Sequence, residues 1–111
     1  MAVYVSNMVI EQGFDFETTF QLEDTRTNSF LDLNGSTPTS QMRKHPGSST
    51  SVSFASSITN ADRGQITLYM SATETQSLKP GRYVFDIKLS TAGKFYKAVE
   101  GSVLVRAGVT R

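Results

Sequence analysis

The segment from Gly64 to Leu89 constrains the fold more than any other part of the chain, because it contains two alternating strand patterns joined by a short turn. Apolar side chains occupy every second position, at Ile66, Leu68 and Met70 and then at Tyr83, Phe85, Ile87 and Leu89. Alternation of this length predicts two antiparallel strands that are each buried on one face. The arrangement outlines the crossing between the two sheets of a β-sandwich.

The residues between these two strands predict a rigid corner. Ser71 followed by Glu74 matches a capping box, in which the serine oxygen accepts from the third helical amide and the glutamate reaches back. One helical turn is predicted over residues 72–78, because Pro80 and Gly81 end it. Tyr83 then stands at the start of a strand directly after the corner. Sandwich domains place a tyrosine corner there, whose hydroxyl bonds to upstream backbone.

The rest of the chain reads as short strands separated by turn signals. Strand patterns are predicted over residues 2–10, with a bulge or break near Ser6-Asn7, then over 14–23, 30–33, 36–44, around 52–54, and over 95–106. Pro38 places the first part of its strand at a sheet edge, and the missing side chain of Gly101 admits a bulky neighbour or a bend. About seven or eight strands and one short helical turn predict an all-β fold, an immunoglobulin-like antiparallel β-sandwich.

Length and composition restrict the class of protein. The chain has 111 residues, 11 basic and 10 acidic side chains and no cysteine. We therefore expect one domain over residues 1–111, without disulfides or thiolate metal sites, which fits assembly in a reducing cytoplasm. The near-neutral charge argues against specific nucleic-acid binding. No apolar run is long enough to predict a membrane span, and no secretion signal is evident.

Residues for catalysis are sparse. His45 is the single histidine, and it lies in a Pro-Gly-Ser loop, so we interpret it as a solvated loop residue rather than part of a triad. Asp15, Glu17 and Glu23 share the polar face of one strand, which we interpret as a solvated face rather than a cation site. No phosphate loop or dinucleotide motif is present. We expect no enzyme activity, no catalytic residue, no metal and no cofactor.

Basic residues and tyrosines supply the candidate interaction sites. Arg43, Lys44 and His45 form a cluster that other cations could extend into a basic strip. We favour the interpretation that the cations occupy scattered outward positions of strands and turns: Arg63, Lys79, Arg82, Lys88, Lys94, Lys97 and Arg106. Six aromatic residues are predicted to lie in the core: Phe14, Phe16, Phe20, Phe54, Tyr83 and Phe85. Tyr69 and Tyr96 lie out of phase with the apolar faces of their strands, which makes them candidates for exposed anchors in a protein interface.

The two ends of the chain complete the set of candidates. Residues 1–7 and 107–111 are predicted to form extended arms that dock on adjacent subunits. The predicted interface residues are Tyr4, Arg43, Lys44, Tyr69, Tyr96 and Arg111.

Four segments together resemble a known family: GFDFETTFQLED (13–24), LDLNGSTPTSQMRK (31–44), the stretch 64–89, and VEGSVLVRAGVTR (99–111). They are similar to the immunoglobulin-like N-terminal domain of baseplate upper proteins of tailed bacteriophages and to related small phage tail proteins. The resemblance implies a virion structural protein, assembled in the host bacterial cytoplasm. It would bind other virion proteins at a tail, baseplate or fibre junction and form a homo-oligomer. Baseplate upper proteins continue into a fibre-like region, whereas this sequence stops at Arg111, which favours an adaptor or plug.

Other functions remain open at this point. A capsid decoration protein fits the same sequence. A carbohydrate-binding or adhesin sandwich would recognise a host surface through exposed aromatics beside Asp or Asn, and the lack of tryptophan weighs against it. An enzyme would have to depend on His45.

Overall fold

The computed structural model describes residues 4–24, 29–30 and 32–109. Its elements in chain order are β1 (Tyr4–Glu11), β2 (Phe16–Gln21), β3 (Glu23–Asp24), β4 (Ser29–Phe30), β5 (Ser36–Arg43), β6 (Val52–Asn60), β7 (Gln65–Met70), α1 (Ala72–Gln76), β8 (Gly81–Thr91) and β9 (Lys94–Arg106). The fold is all-β with one short helix, as the alternating sequence predicts.

One seven-stranded sheet in the order β1-β9-β8-β5-β6-β7-β2 forms the body of the protein, and β3 and β4 pair separately. Strand β6 connects its two parts, because residues 52–54 pair with β5 while residues 55–60 pair with β7. All pairs in this order are antiparallel except β1 and β9, which are parallel. The prediction of a wholly antiparallel sheet is therefore wrong at this edge. Parallel neighbours need a long crossover, and here the eight described elements between β1 and β9 supply it.

The core lies inside the curved sheet and draws on both of its parts. Ile10, Met42, Ile66 and Ile87 are completely buried. Aromatic rings meet across the interior, with Phe20 of β2 stacked 6.3 Å from Phe85 of β8, and Phe54 of β6 edge-on at 6.4 Å from Phe85, measured between ring centroids. Strands that are distant in the sheet order therefore contact each other through their apolar faces.

The corner between β7 and β8 forms as the sequence predicts. The hydroxyl of Ser71 accepts from the Glu74 amide at 3.3 Å, and the Glu74 carboxylate accepts from the Ser71 amide at 3.1 Å. The Tyr83 hydroxyl donates to the carbonyl of Lys79 at 2.8 Å. The capping box and the bond from Tyr83 to upstream backbone are both confirmed, although the helix ends at Gln76 rather than at residue 78.

Strand β1 differs from its prediction. It runs unbroken from Tyr4 to Glu11 and pairs in regular register with residues 99–106, so the bulge predicted near Ser6-Asn7 is absent. The apolar residues on both registers of β1 arise because Val5 and Val9 face outward while Met8 and Ile10 face the core. Residues 4–7 belong to this strand and not to an extended arm, and residues 1–3 lie outside the described part of the chain.

Gly101 makes the pairing of β1 and β9 possible. A Cβ atom at Gly101 would lie 1.5 Å from the carbonyl oxygen of Ser6 and 3.2 Å from the ring of Phe85. The expected bulky neighbour is thus the backbone of β1 itself, together with the Phe85 ring.

Phe14 and β6 also depart from expectation. Phe14 is 50% exposed, because β2 begins only at Phe16 and Phe14 lies in the turn after β1. The pattern around residues 52–54 predicts a short strand, whereas β6 extends to Asn60. Pro38 pairs only with β8, and β5 meets β6 from Ser40 onward, in agreement with the predicted edge.

Candidate interaction surfaces

Helix α1 is fastened to the turn between β1 and β2 by one buried and one exposed side chain, Thr75 and Asp15. Thr75 is fully buried; its hydroxyl donates to the Phe14 carbonyl at 2.9 Å and accepts from the Gly13 amide at 3.1 Å. The carboxylate of Asp15 accepts from the Ala72 amide at 2.7 Å. These bonds fix the position of the chain that leaves the helix.

The chain after α1 borders a depression of about 340 Å³, which we name the corner depression. The side chain of Gln12 donates to the Leu78 carbonyl and holds this border in place. The lining consists of three cations (Arg43, Lys44, Lys79), three hydroxyl side chains (Thr50, Ser51, Ser77) and an apolar group (Met42, Val52, Leu78, Tyr83). None of the described residues that line it is acidic.

Hydrogen bonds and a ring contact hold two of these cations. The Lys44 Nζ lies 4.3 Å from the centroid of the Tyr83 ring, a cation–π geometry. The guanidinium of Arg43 donates to the Ser48 carbonyl at 2.6 Å and to the Gln41 side chain at 3.1 Å. No carboxylate among the described residues forms an ion pair with either of them.

A second depression, of about 550 Å³, lies on the outward face of β1, β9, β8 and β5. Its charges are mixed, because Asp86 and Glu100 are cross-strand partners and Lys97 pairs with Glu100 at 3.3 Å. The same face carries apolar side chains, which we name the outward apolar patch: the exposed Val5, Val9 and Val84 and the half-buried Leu104. Val5 is 68% exposed and Val9 49% exposed. Outward faces of antiparallel sheets are usually polar, so this patch is unusual.

The outward face of β2, β7 and β6 is different, since it carries mainly hydroxyl groups. Thr67 is hydrogen bonded through its hydroxyl to Thr19 at 2.9 Å and also to Thr59. Tyr69 lies on this face opposite Glu17 and Ala55.

The structure brings together two of the predicted interface residues, Arg43 and Lys44, in the corner depression. Tyr69 is 37% exposed on the hydroxyl-bearing face. Tyr96 is 40% exposed and pairs with Leu89 near the β8–β9 turn, at the far end of β8 from the corner. Both tyrosines are exposed as predicted, but they belong to separate surfaces.

Two predicted interface residues, Tyr4 and Arg111, lie partly or wholly outside the described residues. The backbone of Tyr4 pairs with Val99, while its side chain and all of Arg111 lie outside the described residues. Two cations of the possible basic strip are ion paired, Lys97 with Glu100 and Arg106 with Glu11 at 3.4 Å, so nearby carboxylates compensate their charges.

Sequence reasoning missed the outward apolar patch and much of the corner depression. The alternation of β1 gives two apolar registers, and only the pairing with β9 decides which of them faces outward. Phe95 is 64% exposed with the Lys88 ammonium 4.4 Å from its ring centroid, another contact without a sequence signal. Ser77 and Lys79 join Lys44, Thr50 and Ser51 only after folding, since they come from a different loop.

The residues considered for catalysis have structural or solvated positions. His45 is exposed in its loop, Glu17 and Glu23 are exposed, and Asp15 bonds to the start of α1. Within residues 4–24, 29–30 and 32–109, no group of three or more His, Asp or Glu side chains is placed to hold a metal ion. None of the helices in these ranges is long and apolar enough to cross a membrane.

No protein-family model and no curated protein matches the chain. Among solved structures, it is similar to InlP of Listeria monocytogenes at 15% identity and a TM-score of 0.50, covering 91% of this chain and 26% of InlP. A family 123 glycoside hydrolase from Clostridium perfringens, described for glycolipid glycan hydrolysis, is 13% identical with a TM-score of 0.46, covering 100% of this chain and 24% of the hydrolase. The chain thus spans about a quarter of each. The likeness to InlP concerns the fold alone: this is an all-β domain of a kind also found within a larger protein.

Proposed function

We propose that this chain is a protein-binding structural module of a tailed-bacteriophage virion, placed at a tail, baseplate or fibre junction and assembled in the host bacterial cytoplasm. Its partners are other virion structural proteins and further copies of the same chain. The four segments that resemble the domains of baseplate upper proteins support this proposal. The fold contributes a rigid scaffold with several exposed surfaces.

The outward apolar patch is the observation that carries the protein-binding role. Val5 and Val9 come from β1, Leu104 from β9 and Val84 from β8, and Val9 is the register partner of Leu104. Exposed apolar side chains grouped on one sheet face, with charged residues around them, are typical of protein interfaces. Lys97, Glu100, Asp86 and Arg43 supply that charged surround.

The finer fold that we propose is an immunoglobulin-like β-sandwich. The bend of the sheet at β6, the contact of Phe20 with Phe85 across the interior, and the bond from Tyr83 to Lys79 support two layers with a tyrosine corner. Strands β1 and β2 stand at the two ends of the strand order. Each end strand presents one backbone edge that a neighbouring subunit can extend, as symmetric assemblies often do.

The proposal is tested on phage particles purified from a lysate of cells in which this chain is produced. Quantitative mass spectrometry should find the chain at a fixed ratio to the tail proteins, and immunogold labelling should mark the tail. Label on the capsid surface would replace the tail position by decoration, and absence of the chain from purified particles would refute a virion role.

A pair of variants connects this test to the patch. Val84→Lys should strongly reduce incorporation into particles, because a charge would be buried in the interface. Ser57→Lys, on the exposed face of β6, is the matched control. Both variants should melt like the parent chain, since residues 57 and 84 are exposed. Normal incorporation of Val84→Lys would remove the patch from the proposal.

A glycan-binding role is the second candidate, and the surroundings of Tyr69 favour it. An exposed ring beside Glu17 and a row of threonine hydroxyls offers stacking together with hydrogen bonds. Tyr69→Ala should then abolish binding on a host-surface glycan array, whereas a blank array would eliminate this candidate.

A further inference from the structure

We infer that the corner depression binds an acidic segment of a partner protein, with the carboxylates of Asp or Glu side chains as the recognised groups. The inference rests on the proposed function, because it names the chemistry by which one surface of such a module would take its partner. It concerns a surface separate from the outward apolar patch.

The distribution of charge is the first support. The whole chain has a net charge of only +1, yet Arg43, Lys44 and Lys79 line one depression and none of its described lining residues is acidic. The ion pairs between described residues, Lys97–Glu100 and Arg106–Glu11, lie elsewhere. The corner therefore keeps positive charge that the rest of the chain compensates.

Tyr83 orders the side chain of Lys44 and the backbone of Lys79. Its ring lies under the Lys44 ammonium at 4.3 Å, and its hydroxyl holds the Lys79 carbonyl at 2.8 Å. Gly81 leaves the necessary space, since a Cβ there would lie 2.7 Å from the Lys44 Nζ. Side chains that are already ordered lose less entropy when a partner binds.

The neutral groups of the lining suit a carboxylate as well. Ser51 brings a hydroxyl donor from the loop before β6, and Thr50 stands beside it. The hydroxyl of Ser77 already donates to the Glu74 carbonyl at 2.8 Å, so it fixes the opposite border. Charge-assisted bonds from lysine and hydroxyl donors to a carboxylate are among the stronger polar contacts.

The size of the depression favours a short acidic segment over a nucleic acid. A volume of about 340 Å³ accepts one or two side chains. A polynucleotide needs a longer basic track. Here Glu74 lies in the helix beside one border, and Arg43 also lines the depression that holds Asp86 and Glu100. Phosphate backbones would meet these carboxylates.

Titration of the ¹⁵N-labelled chain with hexaglutamate at low salt tests the inference. The amide signals of residues 44, 50–52 and 77–79 should shift together, and the shifts should vanish in 0.5 M NaCl because exposed charges are screened. Lys44→Gln and Lys79→Gln should each weaken binding about two- to fivefold, the range for exposed ion pairs.

Lys88→Gln is the matched control, because Lys88 also lies over an aromatic ring but outside the depression. Its affinity for hexaglutamate should equal that of the parent chain. Equal weakening by Lys88→Gln, shifts at other residues, or tighter binding of inorganic phosphate or a single-stranded oligonucleotide would overturn the inference. Self-association that Lys44→Gln removes would assign the depression to a second copy of the chain and would overturn the inference too.

The outcomes separate this inference from the proposed function. If Lys44→Gln/Lys79→Gln enters particles normally and hexaglutamate does not bind, the virion role stands and the acidic partner is refuted. If the chain is absent from particles while the depression still binds hexaglutamate, the proposed function fails and the chemistry of the depression remains.

Discussion

The β1–β9 edge and the corner after β7 are held in place in opposite ways. The edge depends on an absent side chain, because the backbone of Ser6 occupies the space next to Gly101. The corner depends on side chains that are present, including Ser71, Thr75 and Tyr83. Close backbone packing tolerates no added atom, whereas a set of separate hydrogen bonds can lose one member and persist. We therefore expect disruption of the edge to be abrupt and damage to the corner to be graded.

The largest effect should come from Gly101→Ala. Its Cβ would lie 1.5 Å from the Ser6 carbonyl oxygen, and backbone cannot move aside as a side chain can. We expect a loss of about 3 kcal/mol of the free energy of unfolding, the upper end for overpacking. Hydrogen exchange should show β1 amides losing protection first. Gly47→Ala meets only ordinary contacts and should leave stability unchanged; equal stability of both variants would contradict the role of the edge.

Thr75→Val should be the most damaging change in the corner. It keeps the shape of the side chain but leaves the Gly13 amide and the Phe14 carbonyl without their partner. We expect a loss of about 2 kcal/mol in chemical denaturation, within the range for unsatisfied buried groups. Thr73→Val is the control, because Thr73 is exposed on the same helix. Similar losses for the two variants would show that helix propensity, and not the buried bond, is responsible.

Tyr83→Phe should cost less, about 1 kcal/mol, since it removes one hydrogen bond and keeps the buried ring. It also tests the corner depression, because the Lys79 carbonyl loses its donor while the ring under Lys44 remains. Hexaglutamate binding should weaken slightly as the loop order decreases. Tyr69→Phe, on the hydroxyl-bearing face, should change neither the free energy of unfolding nor hexaglutamate binding. Complete unfolding of Tyr83→Phe would contradict the expectation that damage to the corner is graded.

The smallest effect should follow from Ser71→Ala. This substitution removes the cap of a five-residue helix, but Asp15 still accepts from the Ala72 amide. We expect about 0.5 kcal/mol, the low end for N-cap removal, measured as a small shift in the denaturant midpoint. Ser57→Ala on β6 should have no effect. The double variant Ser71→Ala/Asp15→Ala should lose clearly more of the free energy of unfolding than Ser71→Ala alone if both side chains cap the helix.

The corner was predictable because its signals are local. Ser71, Glu74, Pro80 and Tyr83 lie within one short stretch, and each acts on backbone a few residues away. The edge was only half predictable. The sequence indicates that Gly101 makes room for something, but the neighbour that fills the space, Ser6, lies almost the whole chain away.

Of the candidate site, the adjacent pair Arg43 and Lys44 could be identified from sequence, since adjacency alone brings two cations together. Ser77 and Lys79 could not be joined to them, because the loop after α1 meets the loop between β5 and β6 only in the folded chain. The same reason hides the outward apolar patch. Val5 and Val9 follow the period-2 alternation of a strand, and this pattern does not predict which face of the strand packs against the core.

The sequence by itself determined the all-β class, most strand positions, the capped corner and the exposure of Tyr69 and Tyr96, because period-2 patterns and turn residues act over a few positions. Tertiary structure alone decided the parallel pairing of β1 with β9, the outward register of Val5 and Val9, and the gathering of Lys44 and Lys79 around Tyr83. These features depend on contacts between segments far apart in the chain. Their free energy comes from packing that no local pattern contains.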